Sequence, residues 1–324
     1  MWKLIKKLAR PVRKFVRRIT DPVNIFKMKR EIDTLYSLLY NLVHDQDSSL
    51  DITAMQTQQA FNIQWSQYEK GEYMVAHDPW FKENCVNILC NKETHIKPEW
   101  FKGKNILDAG CGSGRWSYTL AKLGANITAV DINQVALDRT QELIKEFDVE
   151  KTFINSSLEN LPERITAETK FDMVLSWGVV HHTKCFNKSL LNLANLVKND
   201  GVLYLYLYGR ESVPYKDDIE IFKERVRYNT LLKDAEKYEF LKRKAWGNKS
   251  KIHGQHDHWA PLINRRLDFS DVKAILDDCG FEDVVRTVEY TELFIRAIKG
   301  NSKEFNEKWV LSPDNEPLWI KHWD

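Results

Sequence analysis

Three glycines and an acid near residue 110 are the residues best suited to hold a ligand. Gly110, Gly112 and Gly114 alternate in the stretch DAGCGSGR, and Asp131 follows 21 residues after Gly110. Glycines let a backbone turn tightly and approach a ligand, and the N-terminus of a following helix presents free N–H groups to an anionic group. A carboxylate at this distance can accept hydrogen bonds from both hydroxyls of a ribose. The spacing predicts a site for a nucleotide-like ligand.

The elements around this turn are those that such a site needs. Residues 106–107 end a short apolar run, which predicts a strand that leads into the turn. Apolar residues then recur at helical spacing over 115–123, and Gly124 ends that helix. Residues 127–130 predict a second strand with Asp131 at its end. The unit is a strand, a loop, a helix and a strand that ends in an acid.

The turn has Arg115 where a nicotinamide-binding turn has its third glycine, which argues against NAD. Its form, Asp-x-Gly-x-Gly-x-Gly with flanking strands and acid, resembles the first motif of the class I S-adenosylmethionine (SAM) dependent methyltransferases. The resemblance covers about residues 60–299. It implies SAM as the cofactor and a Rossmann-like α/β fold, with a seven-stranded, mostly parallel sheet and helices on both faces.

The resemblance also implies where the cofactor is held. Asp131 stands at the place of the family's ribose acid, whereas Ser157 replaces the acid that usually accepts a hydrogen bond from adenine, and a hydroxyl accepts more weakly. The segment FDMVLSWGVVHHT, residues 171–183, resembles the family's fourth motif, where methyl donor and acceptor meet. The α/β rule that ligands bind beyond the carboxyl ends of strands places the same loop at the cleft. The expected cofactor-binding residues are Asp108, Gly110, Cys111, Gly112, Gly114, Arg115, Asp131, Ile132, Ser157, Leu158, Ser176, Trp177 and Gly178.

Three histidines are the candidates for catalysis. A hydroxyl or amine acceptor can need a base, and imidazole titrates near neutrality. His181 and His182 are candidates, with His181 expected to face the cleft; alternatively, one of them caps the loop or packs under the cofactor. His258 belongs to a cluster with His253 and His256 that is expected in a substrate-contacting loop. Solvated loop residues and a metal site are the alternatives for that cluster, and we predict no metal.

Three arginines and two aromatic residues have further expected roles. Arg115 either contacts the cofactor carboxylate or forms an ion pair on its helix. Arg265 and Arg266 are expected to be surface charges. Trp65 and Tyr73, in the aromatic-rich segment before the first strand, are candidates for a lid.

Positive charge is concentrated at the N-terminus. The net charge is +2, but residues 1–30 carry eleven Lys and Arg against one acid, which leaves residues 31–324 at −8. Residues 1–20 place apolar side chains on one helical face and basic ones around the other, the composition of a helix in a membrane interface. Two other placements stay open, namely packing on the acidic body of the protein and contact with nucleic acid.

The chain is expected to have three parts. Residues 1–58 contain the basic helix, a second helix and a polar linker that starts at residue 45. Residues 59–300 form the methyltransferase domain, with a mostly helical insertion at about 210–260 that commonly shapes the acceptor pocket in this superfamily. Residues 301–324 form a tail. The second helix could pair with itself in a dimer or lie against the body, so the sequence leaves the oligomeric state open.

These patterns predict a cytoplasmic enzyme, with residues 1–20 as the candidate contact with the inner membrane surface. Five cysteines without a Cys-x-x-Cys pair favour reduced thiols, and no stretch approaches 18 apolar residues. The acceptor is expected to be a small molecule, a glycan or a lipid-linked sugar that is methylated on oxygen. The alternatives are methyl transfer to RNA, which the acidic body disfavours, and a SAM-binding protein without catalysis.

Overall fold

The computed structural model describes residues 22–68, 77–247 and 251–312. Its strands are β1 (Asn105–Ala109), β2 (Asn126–Asp131), β3 (Lys151–Asn155), β4 (Phe171–Trp177), β5 (Val197–Leu207), β6 (Phe281–Arg286) and β7 (Leu293–Lys299). They form one seven-stranded sheet in the order β3-β2-β1-β4-β5-β7-β6. Strands β1 to β5 pair in parallel, and β7 is antiparallel to both of its neighbours. The expected mostly parallel α/β sheet is confirmed.

Helices account for most of the other described residues. They are α1 (Pro22–Val43), α2 (Asp51–Ile63), α3 (Pro79–Asn87), α4 (Arg115–Lys122), α5 (Gln134–Ile144), α6 (Phe186–Leu196), α7 (Tyr215–Thr230), α8 (Asp234–Lys244), α9 (Ile252–Trp259), α10 (Phe269–Asp278) and α11 (Ser302–Trp309). Helices α2 and α3 continue as π-helical turns over Gln64–Tyr68 and Ile88–Thr94. Among the described residues, no helix is long and apolar enough to cross a membrane.

Two hydrophobic cores lie on opposite faces of the sheet. Alternate strand residues contribute to each, so Ile106 belongs to the core that includes residues of α3 and α4, and Leu107 to the core that includes residues of α6 and α10. Both side chains are fully buried. The central strands of a sheet that is covered on both faces are apolar at successive positions, as residues 173–175 of β4 and 202–207 of β5 are.

The order of the strands determines where a ligand can bind. Strand β1 lies between β2 and β4, so the direction in which the chain adds strands reverses at β1. A crevice forms beyond the carboxyl ends of strands at such a reversal. The glycine turn follows β1, Asp131 ends β2, and Gly178 follows β4. The three segments therefore meet at this crevice.

The chain separates into two compact units, Met1–Val43 and His44–Asp324. Residues 51–58, expected to belong to a linker, are instead the first turns of α2. The buried positions of this helix include Thr53 and Thr57, whose polar side chains give no apolar periodicity. The Thr57 hydroxyl accepts a hydrogen bond of 3.0 Å from the N–H of Ile263, and Gln56 Nε2 donates to the Ala260 carbonyl at 2.8 Å. Tertiary hydrogen bonds hold this helix.

The insertion at 210–260 contains α7, α8 and α9, in agreement with its expected helical character. Its histidine-rich end was expected as a loop but forms α9. In the tail, α11 is followed by Val310, which forms a β-bridge with Ile96. The basic stretch 1–20, the lid candidate Tyr73 and the tail tryptophans Trp319 and Trp323 lie outside the described residues.

Arg265 and Arg266 are buried, which corrects their assignment as surface charges. Arg265 is 2% exposed, and its guanidinium donates to the backbone carbonyls of Asp45, Thr183 and Lys184 and to the hydroxyl of Ser49. A buried charge is tolerated when hydrogen bonds replace its hydration, and these carbonyls come from distant parts of the chain. Arg265 thereby ties the segment before α2 to the loop after His182.

Replacing Arg265 with Met is expected to lower the free energy of unfolding by about 3 kcal/mol or more. Buried carbonyls that lose their donor cost about 1–3 kcal/mol each, and several depend on this guanidinium. Urea denaturation measures the effect. The matched control is Arg243→Met on the exposed surface of α8, which should unfold at nearly the wild-type midpoint. Equal midpoints for the two variants would contradict the role given to Arg265.

Candidate active site

A cavity of about 780 Å³ opens beyond the carboxyl ends of β1, β2 and β4. Its volume is in the range of small-molecule and cofactor sites. Residues of α2, from Asp51 to Phe61, line one side of it, and the loops after the strands line the other. The structure brings eleven of the sequence-predicted residues to its wall: Gly110, Cys111, Gly112, Arg115, Asp131, Ile132, Ser157, Leu158, Trp177, Gly178 and His182.

The glycine turn is closely packed on both sides. Gly110 and Gly112 have φ of 86° and 54°, a backbone region that other residues rarely adopt. A Cβ atom on Gly110 would lie 2.3 Å from the side chain of Val179, and one on Gly112 would lie 2.8 Å from the indole of Trp65. The loop after β4 and the π-helical end of α2 therefore lie directly against the turn, with Trp65 on its cavity side.

Asp131 joins the turn to the end of β2. Its Oδ2 accepts a hydrogen bond of 2.9 Å from the N–H of Gly112, and its Oδ1 accepts one of 2.9 Å from the N–H of Asn133. Burial raises the pKa of Asp131 to about 6, against the lowering effect of these N–H donors. Ile132, at the cavity wall, is 37% exposed. The carboxylate is held in a fixed orientation beside an apolar surface.

Three predicted cofactor contacts do not line the cavity. Asp108 is buried beneath the turn, where it accepts a hydrogen bond of 2.6 Å from the Ser117 hydroxyl, and burial raises its pKa to about 7. Gly114 precedes α4 with φ of 88°, and a Cβ atom there would meet Thr140. Ser176 is buried and donates to the carbonyl of Ala109 at 2.8 Å, which ties β4 to β1. Asp108 on β1 and Ser176 on β4 support the turn through buried hydrogen bonds, and Gly114 lets the turn pass into α4.

An aromatic wall lies at the end of β4. The guanidinium of Arg115 lies 4.6 Å from the ring centre of Trp177, and the Trp177 ring stacks on Tyr206 at 4.3 Å. Trp177 Nε1 donates to the fully buried carboxylate of Glu93 at 3.0 Å, as does the Tyr204 hydroxyl. A cation over an indole is attracted by the ring's electron density. Sequence reasoning missed Glu93, because nothing in its local pattern indicates that the end of α3 returns to the sheet.

His182, rather than His181, reaches the cavity. The two rings follow each other in the 3₁₀ turn Val180–His182, and His181 is fully buried with its ring 4.1 Å from that of Tyr208. The Nδ1 of His182 lies 2.7 Å from the carbonyl oxygen of Ile263, which requires Nδ1 to be the donor. In the neutral ring, Nε2 then carries the lone pair, and the described residues offer it no hydrogen-bond partner.

The surroundings of His182 favour its neutral form. Burial lowers the pKa of His182, whereas the charge of Asp257 and the bond to Ile263 oppose this change. Burial also lowers the pKa of His181, well below its usual range. A neutral imidazole with an available lone pair is the form that can accept a proton near pH 7.

Helix α9 brings His253 and Asp257 to the cavity, and not the expected His258. His258 does not line it; its ring packs against Trp259 at 4.4 Å, and burial lowers the pKa of His258 to about 4. His253 and Asp257 line the cavity instead. Residues four apart share one face of a helix, so the helical form of this segment separates His258 from the pair. Within the described ranges, no group of three or more His, Cys, Asp or Glu residues is arranged to hold a metal.

The binding of S-adenosylhomocysteine (SAH), the demethylated form of SAM, is expected to weaken as the pH falls through about 6. The folded-state pKa of Asp131 is about 6, and protonation removes the acceptor that ribose hydroxyls would use. Calorimetric titrations between pH 5 and 8 measure the change. Asp131→Asn is the control, and it should bind weakly over the whole range without this dependence. A wild-type affinity that is constant from pH 5 to 8 would refute the assignment of the ribose to Asp131.

Comparison with known proteins agrees with this geometry. A family model described as a methyltransferase domain matches residues 106–201. The ubiquinone biosynthesis O-methyltransferases of Rickettsia felis and Rickettsia canadensis are 27% and 28% identical to the chain over 199 residues, which cover 56% of it and 79% and 82% of their own lengths.

A solved structure, the magnesium protoporphyrin IX methyltransferase of Synechocystis PCC 6803 with bound SAH, aligns at a TM-score of 0.46 with 18% identity. The alignment covers 77% of this chain and 98% of that one. The family match assigns residues 106–201 to a methyltransferase domain, and the order of the seven strands and the glycine turn that leads to Asp131 are those of a class I SAM-dependent methyltransferase.

Proposed function

We propose that the enzyme methylates an oxygen atom of a small molecule and that His182 is its general base. The observation that carries the proposal is the state of the His182 ring: Nδ1 is engaged by Ile263, and Nε2 has no partner among the described residues at the cavity wall. A hydroxyl acceptor must lose its proton during methyl transfer. A thioether has no such proton, and an aromatic carbon loses its proton only after the transfer, so neither needs Nε2 of His182 as a base in the transfer step. The O-methyltransferase relatives support oxygen as the acceptor atom.

The residues present fit SAM. Asp131 would accept hydrogen bonds from the ribose, and Ile132 with Leu158 would provide an apolar contact for adenine, with the Ser157 hydroxyl as a polar partner. Arg115, oriented on Trp177, would bind the carboxylate of the methionine part. Bound SAM supplies a methyl group on a positively charged sulfur.

The remaining wall of the cavity would hold the acceptor. It contains Phe61 of α2, Tyr206 and Tyr208 of β5 and its following loop, and His253 and Asp257 of α9. Orientation of two reactants in contact contributes about 7–11 kcal/mol to lowering a barrier, so packing of these rings around the acceptor accounts for most of the expected rate gain. His182 would take the acceptor proton at Nε2 as the oxygen–carbon bond forms, which adds about 10²–10⁴ in rate.

Replacing His182 with Ala is expected to lower the turnover number about 10²–10⁴-fold, because the acceptor proton loses its receiver. The affinity for SAH should stay near that of the wild type, since the His182 ring packs on Phe61 and Tyr208 and not on the residues assigned to SAM. Steady-state kinetics and calorimetry measure the two quantities. His258→Ala is the matched control and should retain the rate. A fully active His182→Ala enzyme would exclude His182 as the base.

The acceptor class is tested by transfer of labelled methyl from SAM into fractionated small metabolites, glycans, lipids and RNA of the source cell. Label is expected in an alkali-stable ether of a small molecule. Label in RNA, with a strong loss of transfer on adding salt, would support the RNA alternative. Binding of SAM without labelling of any fraction would favour the non-catalytic alternative. Failure to bind SAM at all would contradict the cofactor assignment.

Attachment of the N-terminus to an anionic membrane surface stays part of the proposal. It is supported by the basic and apolar composition of residues 1–20, which lie outside the described residues. Such attachment would bring the cavity close to acceptors that dissolve poorly in water.

A further inference from the structure

We propose that Asp257 is the carboxylate partner of His182, a positioning residue that stabilises the positive charge which His182 gains when it takes the acceptor proton. The inference rests on the proposed role of His182 as the base. It assigns a function to a residue of the insertion that the sequence patterns did not single out as a site residue.

Tyr208 connects the two groups in space. Its hydroxyl donates a hydrogen bond of 3.1 Å to Oδ2 of Asp257, and its ring lies edge-on to the His182 ring with 5.7 Å between centres. All three residues line the same cavity. The carboxylate of Asp257 and the imidazole of His182 thus contact the same tyrosine side chain, one at its hydroxyl and the other at its ring.

The second oxygen of Asp257 is available. Oδ2 is occupied by Tyr208, whereas Oδ1 has no hydrogen-bond partner among the described residues. Burial raises the pKa of Tyr208 well above its usual value, and Asp257 raises it further, so the phenol stays protonated and remains a donor. A carboxylate in a cavity wall with one oxygen anchored keeps a fixed orientation, and its charge acts on groups that line the same cavity.

The other charges around His182 oppose its protonation. His181, with its ring 4.2 Å away, packs beside it, and the guanidinium groups of Arg225 and Arg265 disfavour a further positive charge. Both arginines are buried and stay charged. Asp257 is the acid whose charge favours protonated His182. Without it, the imidazolium would form in a buried and positively charged setting.

The proposed methyl transfer couples a proton transfer to a displacement at the methyl carbon. The acceptor O–H bond breaks and its proton passes to Nε2 of His182, while the acceptor oxygen bonds to the methyl carbon. The methyl–sulfur bond breaks, and its electron pair stays on the sulfur of SAH. His182 becomes a cation and Asp257 stays an anion, so their attraction increases as the transfer proceeds.

The test is a measurement of the His182 pKa by NMR titration of the histidine ring signals in the full chain bound to SAH. The His182 signal is identified by its absence in His182→Gln. In Asp257→Asn the pKa of His182 should fall below the wild-type value, because the charge that raises it is gone. In Tyr208→Phe it should rise, because the carboxylate loses a hydrogen bond that spreads its charge.

Asp271→Asn, at an exposed position of α10, is the matched control and should leave the His182 pKa unchanged. SAH affinity reports whether each variant is folded and separates this inference from the cofactor assignment. The same His182 pKa in the wild type, Asp257→Asn and Tyr208→Phe, with SAH still bound, would overturn the inference and leave the methyltransferase function intact. If Asp257→Asn does not fold, the direction of the change in Tyr208→Phe decides.

Discussion

The hydrogen bonds of the Asp131 carboxylate are the interactions on which the shape of the glycine turn depends. The carboxylate receives N–H groups from Gly112 and from Asn133, and so connects the turn after β1 to the end of β2. These bonds satisfy buried donors that the tight turn would otherwise leave unpaired. The turn can therefore keep a backbone shape that only glycine adopts easily. Nearby, Asp108 ties β1 to α4, and Ser176 ties β4 to β1.

The part of the cavity wall that we propose for the acceptor is held together differently. Here, buried charges and rings from distant segments are satisfied by each other and by backbone carbonyls. The Ile263 carbonyl fixes the tautomer of His182, and Arg265 donates to the carbonyls of Asp45, before α2, and of Thr183, after His182. The glycine turn and Asp131 come from one stretch of sequence, whereas the wall that we propose for the acceptor is assembled from α2, the loop after β4 and the insertion.

This difference explains how far the sequence could predict the molecule. The glycine turn and Asp131 were predictable because the two partners lie only 19 positions apart. The parallel strands were predictable because each central strand is a short apolar run. Asp257 and the buried state of Arg265 were not, because their partners lie far away in the chain. His258 shows the same limit: its segment reads as a loop, and only the helical form of α9 places His253 and Asp257 together on the cavity.

Helix α2, with its π-helical end, is also joined to the insertion. The Nε2 atom of His256, in α9, lies 2.9 Å from the carbonyl oxygen of Ala60. The Nε2 atom of Gln64 lies 3.0 Å from Nε2 of His253. Both segments lie outside residues 106–201, the part that matches the methyltransferase family model. If these segments hold the acceptor, as we propose, its selection would depend on both of them together. An exchange of the central domain between relatives would carry the methyl donor site but not the selectivity, and a change in one of the two segments would require a compensating change in the other.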